Sequence, residues 1–139
     1  IEGEVFVQTF TPHHPSIQFA RHHDFNGFRD QEIGFRKQWN YPPFSHLILI
    51  GIRSEDEQLA TFTAQQIHRS ILEGLPPNST LGEPGIAPLA KSHNQHRLHL
   101  MVRSKSIRKL AAHVKGRLEK LTVPKEVIIT IDVDAYQLL

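Results

Sequence analysis

The strongest constraint on the fold is a helical pattern near the C-terminal end of the sequence. From Ser106 to Leu121, apolar residues recur every three or four positions, as they do along one side of an α-helix. The polar side of the same segment is almost wholly basic. An apolar stripe of this kind is stable only when a second layer of structure covers it. The stripe consists of Ile107, Leu110, Ala111, Val114, Leu118 and Leu121.

The patterns around this helix predict what the second layer is. A second helix is predicted from Glu55 to Leu75, with Ser54 as its N-cap and Glu57 completing a capping box. Its apolar stripe is Ala60, Ala64, Ile67, Ile71 and Leu75. Extended segments are predicted at His46–Ile52, at residues 80–81, at His96–Arg103 and at Val127–Val133, with a Gly/Pro-rich passage at Gly82–Leu89.

The order from residue 44 onward is therefore β-α-β-β-α-β. This is the split βαβ plan of a ferredoxin-like, two-layer α+β sandwich, with both helices on one face of the sheet. In the third strand we expect Leu98, Leu100 and Val102 to face the helices. In the last strand, the residues predicted to share one face are Val127, Ile129, Ile131 and Val133.

The N-terminal third has a different organisation. Glu4–Phe10 is predicted to be a short strand, but no partner strand is predicted beside it. Pro15–Asn40 is predicted to form two helices interrupted near Asn26-Gly27. Because Pro42 and Pro43 stop any helix, we place a domain boundary there, with domains at residues 1–43 and 44–139. We expect the aromatic residues at helical spacing to be packed in a core, namely Phe25, Phe28, Phe35 and Trp39.

Composition excludes several kinds of chemistry. The chain contains no cysteine, so disulfides, thiolate catalysis and cysteine-ligated zinc are excluded within it. No stretch approaches the roughly 18 apolar residues of a transmembrane helix, and no targeting segment is recognised. We therefore expect a soluble protein, and the cytoplasm is the default location.

Motifs for catalysis are also missing from the sequence. It contains no G-x-x-x-x-G-K-[ST] phosphate loop and no G-x-S-x-G nucleophile elbow. His96 and His99 would point to opposite faces of a strand, so we expect surface histidines and no metal site. Asp132 and Asp134 would share a strand face, where they are more often solvated than catalytic. No catalytic site and no cofactor are expected in this chain.

Charge is strongly segregated along the chain. Between Lys91 and Lys125, ten Lys or Arg residues face a single acidic residue, Glu119, so this block has a net charge of +9. Such a block attracts polyanions in a salt-dependent way. We expect its members on the third strand and the last helix to form one surface that contacts phosphates but does not stack on bases. The candidate residues for binding DNA or a protein partner are Lys91, Arg97, Arg103, Lys105, Arg108, Lys109, Lys115 and Arg117.

Several short motifs occur in a characteristic order. They are G-E-V-F-V-Q-T-F at Gly3 to Phe10, H-P-S-I at His14 to Ile17, H-D-F-N-G-F at His23 to Phe28, Y-P-P-F at Tyr41 to Phe44, L-G-E-P-G-I-A-P-L-A at Leu81 to Ala90 and I-D-V-D at Ile131 to Asp134. In order and spacing they resemble the C-terminal region of the PriA family, the primosomal proteins N′. The resemblance covers essentially the whole chain.

This resemblance implies a role in replication restart. The family's proteins are ATP-dependent superfamily-two DNA helicases that move 3′ to 5′, recognise abandoned forks and load the replicative helicase. Residues 1–43 would be the tail of the second RecA-like lobe, and Glu4–Phe10 its last strand. ATP, magnesium and zinc would bind only in regions upstream of this chain.

The family's C-terminal domain has an α+β fold similar to a small-subunit ribosomal protein. It contributes to DNA binding and to docking the acidic tail of single-stranded-DNA-binding protein, and by position Lys105–Lys109 would make that contact. The family's R-G-R-Y-R-W-Q stretch corresponds to His93–His99 here, which keeps Arg97 but has no aromatic residue. Electrostatic contact is therefore expected without base stacking.

Two other hypotheses are compatible with the residues. One is a stand-alone α+β interaction module whose basic helix docks an acidic protein and never touches DNA. The other is an enzyme that uses Asp132 and Asp134 together with a histidine. Salt-sensitive DNA binding favours the restart helicase, whereas metal-dependent stability or hydrolysis would favour the enzyme.

Overall fold

The chain divides between Trp39 and Asn40 into two compact units. The computed structural model describes residues 3–135, so the outermost residues of the predicted domains, 1–2 and 136–139, lie outside the described part. The division lies four residues before the domain boundary predicted after residue 43. The first unit contains α1 (Pro15–Arg21) and α2 (Phe25–Gln38); the second contains β1 (His46–Ser54), α3 (Glu57–Leu72), β2 (Ser79–Leu81), β3 (Gly85–Ser92), β4 (Gln95–Ser104), α4 (Ile107–Leu118) and β5 (Ile128–Val133).

The second unit is built on a five-stranded antiparallel sheet. Its strand order is β2-β4-β1-β5, and β3 pairs with the same edge of β4 as β2 does. Strand β4 therefore lies between β1 and β2, which are joined through α3, and this arrangement is the predicted split βαβ unit. The α+β sandwich predicted from the sequence is confirmed.

The core lies between one face of this sheet and the two helices. Ile48, Ile50 and Ile52 of β1 alternate toward the helices and are fully buried. Strand β4 brings Leu100 and Val102 to the same side, because each pairs directly with one of these isoleucines. The helices contribute Ala60, Ala64, Ile67, Ile71, Leu110 and Val114, all buried. Each large side chain that is buried in this way contributes roughly 1.5–3 kcal/mol.

The predicted ends of α3 were partly wrong. Its N-cap is Asp56, whose carboxylate accepts hydrogen bonds from the backbone N–H groups of Gln58 (2.8 Å) and Leu59 (3.1 Å). Ser54 remains in β1, where its hydroxyl accepts a hydrogen bond from the Asp56 N–H. An aspartate two residues later caps the helix as effectively as a serine would. The helix ends at Leu72, and Leu75 packs against the core from the following turn.

The Gly/Pro-rich passage contains an unpredicted strand. Residues of β3 pair with β4 at Gly85-Ile86 and again at Lys91-Ser92, with an irregularity between the two paired regions. Pro88 lies within that irregularity, where no ladder hydrogen bond is required of it. Glycine and proline are depleted in regular strands, which is why the sequence pattern indicated a loop.

Strand β5 is an edge strand that is only partly covered. Ile129 packs against the core, as predicted for this face. Ile131 and Val133 pair with Ile50 and Ile48 and so lie on the same side of the sheet, yet they are 51% and 48% exposed. Their predicted shared face is confirmed, and they remain half-exposed because they lie at the edge of the sheet.

In the first unit, residues 4–10 form no strand. Val5 and Phe6 are 89% and 87% exposed, and no strand pairs with this segment within the described residues. Without a partner, the segment cannot satisfy its backbone groups in a sheet. The strand predicted at Glu4–Phe10 is therefore absent from this structure.

Helices α1 and α2 are separated at residues 22–24, not at Asn26-Gly27 as predicted. Asp24 is the N-cap of α2, and its carboxylate accepts a hydrogen bond from the Gly27 N–H at 2.8 Å. Phe28 packs edge-to-face on Phe19, with ring centroids 6.4 Å apart. The other aromatic residues that we expected in a core, Phe25, Phe35 and Trp39, are exposed, so that prediction was wrong for them. Within residues 3–135, no helix is long and apolar enough to cross a membrane.

Candidate nucleic-acid interface

The predicted basic surface is divided between two sides of the second unit. Helix α4 packs its apolar stripe on the sheet, so its basic side points away from the sheet. Arg97 and Arg103 are out of phase with Leu100 and Val102 on β4, so they point to the sheet face that the helices do not cover. The single surface expected from the sequence was therefore wrong. A strand residue and a helix residue that both avoid the core lie on opposite layers of a two-layer fold.

The helix side contains the most concentrated positive charge. Lys105 lies in the turn between β4 and α4, and Arg108 and Lys109 lie in the first turn of the helix; all three are exposed. Within residues 3–135 none of them forms an ion pair. Ser106, the N-cap, makes no side-chain capping bond, and the first turn contains no acidic residue. The positive end of the helix dipole adds to these charges. We call Lys105, Arg108 and Lys109 the helix-start cluster.

Two other predicted residues of α4 differ from the helix-start cluster. Lys115 is exposed, and its Nζ lies 3.9 Å from Oε1 of Glu119, a contact that contributes little at the surface. Arg117 is held against α3: its Nη1 donates to Oε2 of Glu73 at 3.1 Å, and its Nη2 donates to the Glu73 carbonyl oxygen. The Arg117 guanidinium therefore caps the end of α3, and it is less available to an external phosphate than Lys115.

Lys91 lies apart from the helix-start cluster and from Lys115 and Arg117. It is exposed near the end of β3 and pairs with His96, at the beginning of β4. The helix-start cluster follows the opposite end of β4. The His96 ring in turn lies near the first residue of α3, with its Nδ1 3.5 Å from Oε2 of Glu57.

The uncovered face of the sheet presents a second set of basic side chains. Arg97 and Arg103 share it with His99 and Met101. The guanidinium of Arg103 lies 5.1 Å from the centroid of the Tyr41 ring, a cation–π contact that the sequence did not suggest. Tyr41 belongs to the segment before β1, so no local pattern places it beside β4.

A shallow depression of about 280 Å³ lies on this face, between β1, β4 and β5. Arg53 of β1 lies in it directly opposite Arg97, and the sequence analysis missed Arg53 as a candidate. Alternation along β1 could have identified it, because Arg53 is out of phase with the buried isoleucines. Gly51, His99, Thr130 and Asp132 also line this depression.

The two aspartates of the last strand do not form a pair. Asp132 lies on the uncovered sheet face, opposite Leu49. Asp134 follows the strand in the left-handed region (φ 53°), and its carboxylate accepts hydrogen bonds from the Leu47 N–H and from the His46 ring, both at 3.0 Å. The His46 contact and the Leu47 N–H lower the pKa of Asp134. Its role is to fasten the end of β5 to β1. Among residues 3–135, no three His, Asp or Glu side chains are arranged to hold a metal ion.

Comparisons with known proteins agree on one family. The family model described as the primosomal protein N C-terminal domain matches residues 37–136. The replication restart protein PriA of Bacillus subtilis is 28% identical over 144 residues, which cover 99% of this chain and 17% of that protein. The PriA of Synechocystis sp. is 33% identical over 132 residues, which cover 95% of this chain and 16% of that protein. The chain thus spans less than a fifth of the length of these relatives.

The fold is also found among solved structures. The de novo designed protein Foldit4 superposes with a TM-score of 0.50 and 13% sequence identity, over 67% of this chain and 99% of the design. This likeness concerns the fold alone. The family match covers the α+β unit with its helix-start cluster, and on that basis the chain belongs to the family of primosomal protein N C-terminal domains.

Proposed function

We propose that the second unit binds the phosphate backbone of DNA through the helix-start cluster, as part of a replication-restart protein. The observation that supports this proposal is the exposure of Lys105, Arg108 and Lys109 without ion-pair partners in the described part of the chain. Three unneutralised cations at a helix N-terminus favour a polyanion.

The expected contact is independent of base sequence. No aromatic residue occurs between Lys91 and Lys125, so the basic block offers no stacking platform for bases. Lysine and arginine side chains that reach phosphates position a protein on DNA without identifying bases. A domain of this kind fits the recognition of a DNA structure, such as a fork, better than the recognition of a sequence.

The proposal extends to the parent protein. We propose that it is an ATP-dependent 3′–5′ DNA helicase of the primosome, located in the cytoplasm, whose ATP, magnesium and zinc sites lie outside this chain. The first unit would be the tail of its second helicase lobe. The exposed apolar side chains of Val5, Phe6 and Val7 support this, because a neighbouring sheet would cover them.

A protein partner is the second candidate for the same surface. The acidic tail of single-stranded-DNA-binding protein would bring carboxylates to the helix-start cluster, and carboxylates pair with lysine and arginine as phosphates do. The chain would then act as a docking module within the primosome. DNA is favoured as the first ligand because Lys115, outside the helix-start cluster, lies two turns along α4 from Arg108, a spacing suited to a further phosphate of the same strand.

Fluorescence anisotropy with labelled forked and single-stranded DNA tests the proposal. The variant Arg108→Gln/Lys109→Gln should bind about tenfold more weakly at moderate salt, equally for different sequences. The matched control, Lys120→Gln/Lys125→Gln, removes the same charge from exposed positions outside the cluster and should change affinity much less. Equal losses in both variants would point to net charge alone, and binding of an acidic peptide without DNA would favour the docking module.

A further inference from the structure

The uncovered sheet face contains two arginines in an unusual arrangement. Arg53 and Arg97 are directly opposite each other on β1 and β4, so their side chains leave the sheet side by side. Like charges in this position destabilise a sheet, by up to about 1 kcal/mol relative to a neutral pair. A third basic side chain, His99, lies two residues along β4 from Arg97, opposite Gly51.

Both arginines of this pair lack a carboxylate partner in the part of the chain that the structure describes. Among residues 3–135, neither Arg53 nor Arg97 forms an ion pair with any carboxylate. Asp132 lines the same depression but lies opposite Leu49, four positions along β1 from Arg53. The depression thus has a strongly positive end and one acidic residue toward its other end.

Two polar atoms at the positive end have no hydrogen-bond partner. The Nε of Arg53 and the Nδ1 of His99 are buried and unpaired within the described residues. Such atoms are rare, because each one left unpaired costs about 1–3 kcal/mol. These two atoms lie on neighbouring strands beside Arg97, which has no carboxylate partner within the described residues. The arrangement indicates a binding site for a ligand that has hydrogen-bond acceptors and negative charge.

The floor of the depression is closed by the Thr130 side chain. Gly51 has no side chain there, and the space that a Cβ would take is filled by Oγ1 of Thr130, 2.6 Å from the Cβ position. The Thr130 hydroxyl also donates to the Gly51 carbonyl oxygen at 3.5 Å. A ligand in the depression would therefore meet the guanidinium groups of Arg53 and Arg97 from the open side of the sheet.

We infer that Arg53, Arg97 and His99 form a phosphate-binding subsite for a nucleic-acid strand on the uncovered sheet face, opposite the helix-start cluster. This inference rests on the proposed function, since it assigns a second surface to the same DNA ligand. Arg97, His99, Met101 and Arg103 line the outward side of β4, and the span from Arg97 to Arg103 is about 20 Å. A track of that length accommodates several phosphates, and Asp132 keeps the strand along β4 and away from β5.

Two double variants, each of which removes two positive charges, distinguish the contributions of the two surfaces to DNA binding. Arg53→Gln/Arg97→Gln alters the sheet face, and Arg108→Gln/Lys109→Gln alters the helix-start cluster. With a labelled oligothymidine and the 139-residue chain, the sheet variant should bind about tenfold more weakly, and the slope of log affinity against log salt should fall by about 1.4. If only the helix variant loses affinity, the subsite is overturned and the proposed function stands. If wild-type chain binds an acidic peptide and no oligonucleotide, both are overturned.

Unfolding temperatures measured with and without inorganic phosphate show whether a variant is folded and whether it still binds phosphate. The sheet variant should unfold at the same or a higher temperature than wild type without phosphate, because the like-charge pair is gone. Phosphate stabilises proteins generally, and the helix-start cluster is also proposed to bind it, so the relevant quantity is the part of the rise that wild type shows and the sheet variant loses. Equal rises in wild type and the sheet variant would mean that this face holds no phosphate.

Discussion

At the scale of single residues, two charged side chains have structural roles that their sequence context did not suggest. Asp134 lies one residue beyond β5, and its carboxylate holds the strand end to Leu47 and His46. Arg117 joins α4 to the end of α3 through Glu73. In both cases the partner is more than forty positions away in the chain, so no short motif could identify the contact.

Replacing Asp134 with Asn should make the free energy of unfolding change less as the pH is lowered into the acid range. The native pKa of Asp134 is lowered, so its contribution is fully present above the ordinary carboxyl pKa of about 3.9 and is lost as pH falls through the native value. We expect a loss of about 0.5–1 kcal/mol at pH 7 that disappears at low pH, measured by urea unfolding. Asn tolerates a positive φ, so the backbone is preserved.

The control for this change is Asp132→Asn. Asp132 is exposed on the same strand and forms no ion pair within the described residues. Its replacement should leave the free energy of unfolding nearly unchanged at both pH values. Equal effects of the two variants would contradict the role assigned to Asp134.

Arg117 provides a second test at this scale. Arg117→Gln should lower the free energy of unfolding by about 1 kcal/mol, because it removes the hydrogen bonds to Glu73, and should change DNA affinity little. Lys115→Gln removes the same charge from the same helix, but its contact with Glu119 is long and exposed, so stability should hardly change. A larger loss of stability in the Lys115 variant would refute this assignment.

At the scale of elements, periodicity predicted most of the second unit. The stripes of α3 and α4 and the alternation of β4 identified the core because burial on one face imposes a period of 3.6 or 2. Strand β3 was missed, since Pro88 and its neighbouring glycines resemble a loop. The division of the basic residues was also missed. Charge counted along the sequence does not record on which layer of the sandwich each side chain lies.

Two positions of α3 test the division between its buried and exposed sides. Ile67→Ala should lower the free energy of unfolding by about 2–5 kcal/mol, because Ile67 is fully buried in the core. Phe62→Ala, on the same helix, removes a larger side chain that is 56% exposed and should cost much less. Urea denaturation of both variants compares them, and a greater loss at Phe62 would show that the packing of α3 is misassigned.

At the scale of the whole molecule, the two units differ in how completely they bury their apolar residues. Every residue of the main core belongs to the second unit. In the first unit, helices α1 and α2 contain no fully buried residue. The sequence predicted two helices there but misplaced the break between them. Its assignment of Phe25, Phe35 and Trp39 to a core was wrong, because helical spacing does not say what a helix packs against.

Removing residues 1–39 should therefore leave the second unit folded. Residues 40–139 are expected to unfold cooperatively, with slow amide exchange retained in β1 and β4, which form the centre of the sheet. Hydrogen exchange followed by NMR makes the comparison with the full chain. Loss of protection in β1 would mean that the first unit is required for the core.

The most direct test of the central claim is the salt dependence of forked-DNA binding by the 139-residue chain. Three phosphate contacts at the helix-start cluster and two at the sheet-face subsite predict that log affinity falls with log salt with a slope of about −3.5 to −4.5. Weak binding with a slope near zero would contradict the account, because it would mean that neither basic surface neutralises phosphates.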